Sequence, residues 1–222
     1  MRTDLEIIQD YFSFLQNREF PCIAAKAALG RQQVECMVVQ HMACPRDDEK
    51  ILQFLYAFVD TYRQSQDLYH TAAILFKQPE FVSEENFESE MWVRLQAIAD
   101  LDAKSHRYDP RVNPDPSSPQ FSFSIHEEAF YIIGLHPQSS RIARRFKYPT
   151  LVFNPHHQFE ALRQTAKYDN MKRAVRKKDV ALSGSVNPML EDFGNASEAF
   201  QYSGKAYDPN WQCPLKIHHA KT

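Results

Sequence analysis

One imidazole, two hydroxyls and three guanidiniums fall within ten residues of chain: His136, Ser139, Ser140, Arg141, Arg144 and Arg145. The apolar run Ala129–Leu135 just before them reads as a buried strand, so His136 emerges at a strand end, where loops carry chemistry. Pro137 restricts its predecessor and holds His136 in extended backbone rather than a helix. A fixed imidazole suits a metal. Its neighbours are Ser, Gln and Arg, so a multi-ligand zinc or non-haem iron centre would have to gather ligands from far away. Haem escapes that objection, because the porphyrin supplies the equatorial nitrogens and the protein need offer one axial side chain. The arginines then have a use, since guanidiniums bind carboxylates such as haem propionates through paired hydrogen bonds. If Ser139 or Ser140 caps a helix through Arg144, Arg141 and Arg145 share one face. The blander alternatives are a histidine satisfied by a carbonyl and a solvated basic turn; spacing alone leaves them open.

Other residues compete for the same chemistry. Cys22, fixed after Phe20-Pro21, is a candidate thiolate ligand or reactive thiol, against the usual role of cysteine as a small buried hydrophobe. His156 and His157 open a helix and diverge by about 100° around it, so they do not readily serve one metal. His157 and Glu160, three apart, can touch and form a proton relay or an orienting hydrogen bond. His41 and Cys44 form a weak pair, and His218 and His219 are expected at the surface.

The elements that must position these groups are mixed. Leu5, Ile8, Tyr11, Phe12 and Leu15 recur at helical spacing and stop near Asn17, before Phe20-Pro21. Val34–Gln40 reads as a strand, and Cys44-Pro45-Arg46-Asp47 opens a helix to about Arg63. His70–Phe76 is a second strand; Ser83 caps an acidic first turn of a helix through Ile98. Four prolines make 109–120 a surface loop. Phe121–Ile125, Ala129–Leu135 and Thr150–Phe153 resume strand character. A helix follows from His156 to about Lys178, ended by Ser183-Gly184-Ser185, and the tail from about 183 is irregular. The expectation is one α+β domain over residues 1–222, a central mixed sheet flanked by helices.

Bulk properties bound the rest. The chain has 222 residues, 43% of them hydrophobic, and a net charge of -2, enough for a packed core. Charge is uneven: Arg141 to Lys178 holds eleven of the 26 basic residues against two acids. That block leaves room for a nucleic-acid or partner-binding module on the 163–178 helix, although such runs more often coat a solvated helix. Four cysteines, none in a CxxC pair, argue for a reduced compartment. With neither a signal-peptide pattern at the N-terminus nor a window long enough for a span, the protein is expected to be cytoplasmic, with no membrane partner. Phosphate-loop, dinucleotide and GxSxG signatures are missing.

Taken together, FPC at 20–22, GLHPQSSRIARRF at 134–146, PTLVFNPHHQFEALR at 149–163, GNASEAFQYSG at 194–204 and WQCP at 211–214 resemble the YqcI/YcgG family. Members include haem-dependent oxygenases that N-hydroxylate guanidino or related nitrogen atoms, such as the pre-guanitoxin N-hydroxylase and the arginine-hydroxylating haem protein of cycloserine biosynthesis. The resemblance implies haem b, dioxygen, an external electron donor and a small nitrogenous substrate. It suggests His136 as axial ligand, with Cys22 and His157 as rivals, and Ser139, Ser140, Arg141, Arg144 and Arg145 around the cofactor. His157 and Glu160 would act in catalysis, and Glu160, Glu198 or Tyr202 would hold a cationic substrate. A haem-binding sensor or carrier without oxygenase activity is the alternative; a homodimer is left open.

Overall fold

The computed structural model describes residues 2–65, 68–80, 83–163, 167–185, 193–208 and 210–218. Helix α1 (Asp4–Gln16) starts at a reciprocal cap: the Glu6 N–H donates to Thr3 Oγ1, and the Thr3 N–H donates to Glu6 Oε2. Its buried positions Ile7, Tyr11 and Leu15 lie four apart, one stripe toward the sheet. Helix α2 (Ile23–Gly30) follows, a helix that the sequence pattern did not suggest. Strand β1 (Val34–His41) leads through a 3-10 turn at Pro45–Asp47 into α3 (Asp48–Ser65). Then come β2 (Thr71–Gln78), α4 (Glu84–Asp102) with Ser83 as its cap, β3 (Phe123–Ile125) and β4 (Glu128–Leu135). After β5 (Thr150–Pro155), the single helix expected over 156–178 is instead two, α5 (His156–Arg163) and α6 (Lys167–Ser183). Among the described residues, the tail contains one short helix, α7 (Ala199–Tyr202).

The strands form one mixed sheet in the order β1-β2-β5-β4-β3. Among the described strands of this sheet, β1 and β2 run parallel, and the β2–β5, β5–β4 and β4–β3 pairings are antiparallel. The arrangement is α+β, as the pattern of elements predicts. Alternation along the strands splits the core in two. Ile74, Phe76, Phe130, Ile132 and Phe153 face the layer that contains α3, α4 and α7. Ala73, Leu75, Leu135 and Val152 face α1, with Phe146 closing that side. Interior strand β2 is therefore buried on both faces over its first six residues, which explains its apolar run Ala72–Phe76.

Two polar devices brace the sheet. The β3–β4 hairpin turns through His126 and Glu127, both in the left-handed region at φ 54° and 56°, the paired geometry that suits a two-residue hairpin. Arg63 donates to both of their carbonyls at 2.8 and 3.0 Å, and Asp102 accepts the His126 N–H at 3.1 Å, so neighbouring helices hold a turn without glycine. Across the α3–α4 layer, Arg94 is 1% exposed, donates through Nε to the Met42 carbonyl at 2.8 Å and pairs with buried Asp48. Removing one member of such a pair strands the other charge. Arg94→Met should cost about 3–5 kcal/mol in chemical denaturation, and adding Asp48→Leu should return part of that loss; a single variant within about 1 kcal/mol of wild type would deny the pair its role.

Candidate functional site

β4 delivers His136 into the interior one residue past its end. The residue is fully buried; its N–H donates to the Arg144 carbonyl at 3.1 Å, and its carbonyl accepts the Ser139 N–H. The ring stacks on Phe87 of α4, with centroids 4.2 Å apart and planes 16° from parallel. Gly134 permits this, since a Cβ there would stand 2.7 Å from the Phe87 ring. Neither ring nitrogen of His136 has a hydrogen-bond partner among the described residues. Burial, with the Arg144 charge adding to it, pushes the pKa down to about 4, so the imidazole is neutral at ordinary pH.

The arginines behind His136 do not form the expected helix. Residues 142–144 make a single 3-10 turn with Arg141 before it, so Arg141 and Arg145 do not share a helical face. Arg144 reaches back across the fold, donating to the carbonyls of Gln201 and Tyr202 at 2.8 Å each and Gly134 at 3.4 Å. Gly204, at φ +86°, lets it in: a Cβ there would lie 2.6 Å from Arg144 Cδ. Arg141, 9% exposed, pairs with Asp179 of α6 at 2.5 Å and donates to the Ser185 carbonyl. Arg145 donates from Nε to the Ser139 carbonyl at 2.6 Å and keeps an exposed side. Ser140 donates through its N–H and hydroxyl to Glu84 Oε1 at 3.0 and 3.1 Å. Ser139 is buried, and its Oγ accepts the Arg141 N–H. Arg141 and Arg144 thus serve protein acceptors, and Arg145 is the one of the three with a side open to an outside anion.

The remaining predicted residues lie elsewhere. Cys22 caps α2, its Sγ accepting the Ala25 N–H at 3.4 Å; burial raises its pKa, which favours the thiol over a thiolate ligand. Of the adjacent histidines, His156 is the buried one and His157 faces solvent, while Glu160 is paired with Arg163 rather than with His157. Tyr202 is a core residue, its hydroxyl accepting the Phe123 N–H and donating to the Phe130 carbonyl. His41 Nδ1 accepts the Ala43 N–H beside exposed Cys44, His218 pairs with Asp100 at the surface, and His219 lies outside the described residues. On α6, Arg173, Lys177 and Lys178 are exposed.

Register separates the two histidine regions. Leu135 pairs with Thr150 and Phe130 with Pro155, so His136 and His156 mark opposite ends of the β4–β5 pair, roughly 20 Å apart at about 3.4 Å per residue. The expected grouping of His136 with the 156–160 segment around one iron is therefore not assembled. Among the described residues, no group of three or more His, Cys, Asp or Glu could hold a metal ion. A haem would ask for one donor, and His136 could offer an unpartnered ring nitrogen, but the ring is fully buried and the group would also need space beside it that the packing here does not leave. The arginines fit less well, since two of the three are spent on protein partners.

Protons and sterics both test this geometry. The folded pKa of His136 lies below the unfolded value near 6.5, so below pH 6.5 the unfolded state binds more protons. Its share of stability is complete above pH 6.5 and is lost as pH falls toward 4. Urea melts at pH 7.5, 5.5 and 4.5 should show a falling midpoint, and His136→Gln should flatten the decline; an equal slope in the variant would place the proton uptake elsewhere. Gly204→Ala should cost about 2 kcal/mol or more, from positive-φ strain and from displacing Arg144, whereas Gly30→Ala, with open space at its Cβ position, should be neutral or mildly stabilising in the same melts.

The YqcI/YcgG family model matches residues 11–216. The chain is also 25% identical over 197 residues to the uncharacterized protein YqcI of Bacillus subtilis (strain 168), covering 80% of this chain and 76% of that one. No solved structure matches it. With the family model running from the second half of α1 into the tail, the chain belongs to the YqcI/YcgG family.

Proposed function

We propose that this protein is a haem-dependent oxygenase that N-hydroxylates a small guanidino- or amino-containing metabolite, using dioxygen and an external electron donor. The observation that supports the reading is His136: a fully buried imidazole, held neutral, with both ring nitrogens unpartnered. A buried polar group left without a partner costs roughly 1–3 kcal/mol, and a neutral imidazole nitrogen would be able to donate to haem iron. Haem b, when bound, supplies dioxygen activation; the protein supplies position and charge. Pro137 and the Phe87 stack fix the plane of the ring. Arg144 discourages protonation, which would remove the donor lone pair. Arg145, with its exposed side beside Ser139, is the group placed to meet a propionate or a substrate carboxylate.

The test is optical and then chemical. Protein produced with a haem precursor should show a Soret band, and His136→Ala should remove or strongly shift it, with loss of retained haem of about tenfold or more. A colourless wild type, or an unchanged band in the variant, would overturn the assignment of His136. Incubation with dioxygen, a reductant and a panel of guanidines and amines should yield a product heavier by one oxygen in mass spectrometry. A coloured protein without such a product is a haem sensor or carrier instead.

A further inference from the structure

We infer that the outer edge of β1 is a dimerisation surface, on which the same strand of a second copy of this chain pairs antiparallel about Cys36. β1 ends the sheet and pairs with β2 alone among the described strands. Residues along a strand turn their backbone groups alternately to its two sides. The Gln33 carbonyl accepts the Thr71 N–H, which sets the odd-numbered residues toward β2 and the even-numbered ones outward. Gln40 agrees, its N–H donating to Asp47 Oδ2 at 3.0 Å on the outer side. The N–H and C=O groups of Val34, Cys36 and Val38 therefore face away from the sheet, and none has a hydrogen-bond partner among the described residues. Folded proteins usually blunt such an edge with a short strand, an edge lysine, a proline or a bulge. β3, at the other edge, is blunted by its length of three residues. β1 runs for eight residues, with Glu35 its sole acid and with no lysine, arginine or proline.

The free groups are complementary to themselves, and that selects the occupant. In an antiparallel pair, opposed residues whose backbone groups face each other exchange both N–H···O bonds. Centred on Cys36, the ladder joins Cys36 to the partner's Cys36 and Val34 to the partner's Val38, so every N–H and C=O of the three residues is used. Its ends are already closed: Asp47 stands outside Gln40, and Gln32 leaves the strand at φ 58°. In this register those two positions oppose one another. A ladder centred on Glu35 would set two carboxylates face to face, which is destabilising, and would leave Val38 opposite Gln32, beyond the strand. A ladder centred on Met37 would set Val34 against Gln40, whose N–H and outer side belong to Asp47. About Cys36, Glu35 opposes the partner's Met37, and the two valines form an aliphatic cross-strand pair. Val34, Cys36 and Val38 are half-buried on the α1 side, so the added strand continues that apolar layer. Such an interface uses the same patch on both copies and closes at two, joining two five-stranded sheets into one.

Sedimentation velocity of the full chain over about 1–100 μM tests the association. The mass should rise to that of two chains, with a dissociation constant below about 10 μM. Val38→Pro removes an N–H that serves no bond to β2, the setting in which an edge strand accepts proline. It should weaken dimerisation about tenfold or more with an unchanged circular dichroism spectrum. A measurement on the wild type decides the matter if that variant does not fold. Backbone amide hydrogen exchange should slow at Val34, Cys36 and Val38 in the concentrated sample, while Met37 and Val39, whose groups face β2, exchange alike at both ends of the range. A monomer throughout, even one whose edge takes up an extended peptide from another protein, would overturn the proposal. So would a folded Val38→Pro variant that dimerises as tightly as wild type, or protection that does not alternate along β1. Neither readout depends on haem, so this surface and the role of His136 can fail separately.

Discussion

A single guanidinium ties the site to the fold. Arg144 sits under the carbonyls that end α7 and under the Gly134 carbonyl near the end of β4, so one cation joins a helix terminus to a strand terminus. Carbonyls at a helix C-terminus carry partial negative charge and lack partners within the helix; a cation there completes them, and hydrogen bonds to a charged donor are worth about 1.5–3 kcal/mol each. Two glycines far apart in sequence keep the surroundings of this contact open. Gly134 makes room for Phe87, and Gly204 makes room for Arg144 itself. Because that charge also bears on His136, whose N–H donates to the Arg144 carbonyl, the packing brace and the electrostatics of the imidazole are one arrangement. An arginine at 144 is thus explained by structure before any ligand is invoked.

Local rules made much of the fold legible. The capped starts of α1 and α4, the proline-rich loop, the strand runs and the mixed sheet follow from periodicity, caps and prolines acting over a few residues. The differences arose from an unusual local cap and from distant contacts. Helix Ile23–Gly30 starts at Cys22, whose Sγ caps it, a role for a thiol that cap preferences rarely assign. The 156–178 segment is helical in composition throughout, yet it forms two helices. Residues 142–144 make only a 3-10 turn, with Arg144 drawn to carbonyls some sixty residues away.

The candidate site divides the same way. His136 was visible because a strand pattern ran directly into it and a proline followed. The choice between His156 and His157 was not, since both occupy the first turn of α5; burial falls to His156 through Phe193 and Glu198, which arrive from the tail. Pairing of Glu160 with Arg163 rather than His157 is a local event, and its signal was present: an acid and a base three apart on one helix attract at any pH where both are charged.

Antiparallel register then constrains how these parts can work together. In such a pair, the two strands run in opposite directions, so residues just past the C-terminal ends of β4 and β5 are placed at opposite ends of the pair. No side-chain rotation brings His136 and His156 together across that length. Tail residues bridge the interval instead: Gln201 and Tyr202 present backbone carbonyls to Arg144 near His136, while Glu198, one turn earlier, stands against His156. A shift of α7 along β4 would therefore disturb both ends at once, changing the charge held against His136 and the carboxylate held against His156. The short helix in a tail that reads as irregular is thus the element whose residues and immediate neighbour touch both regions.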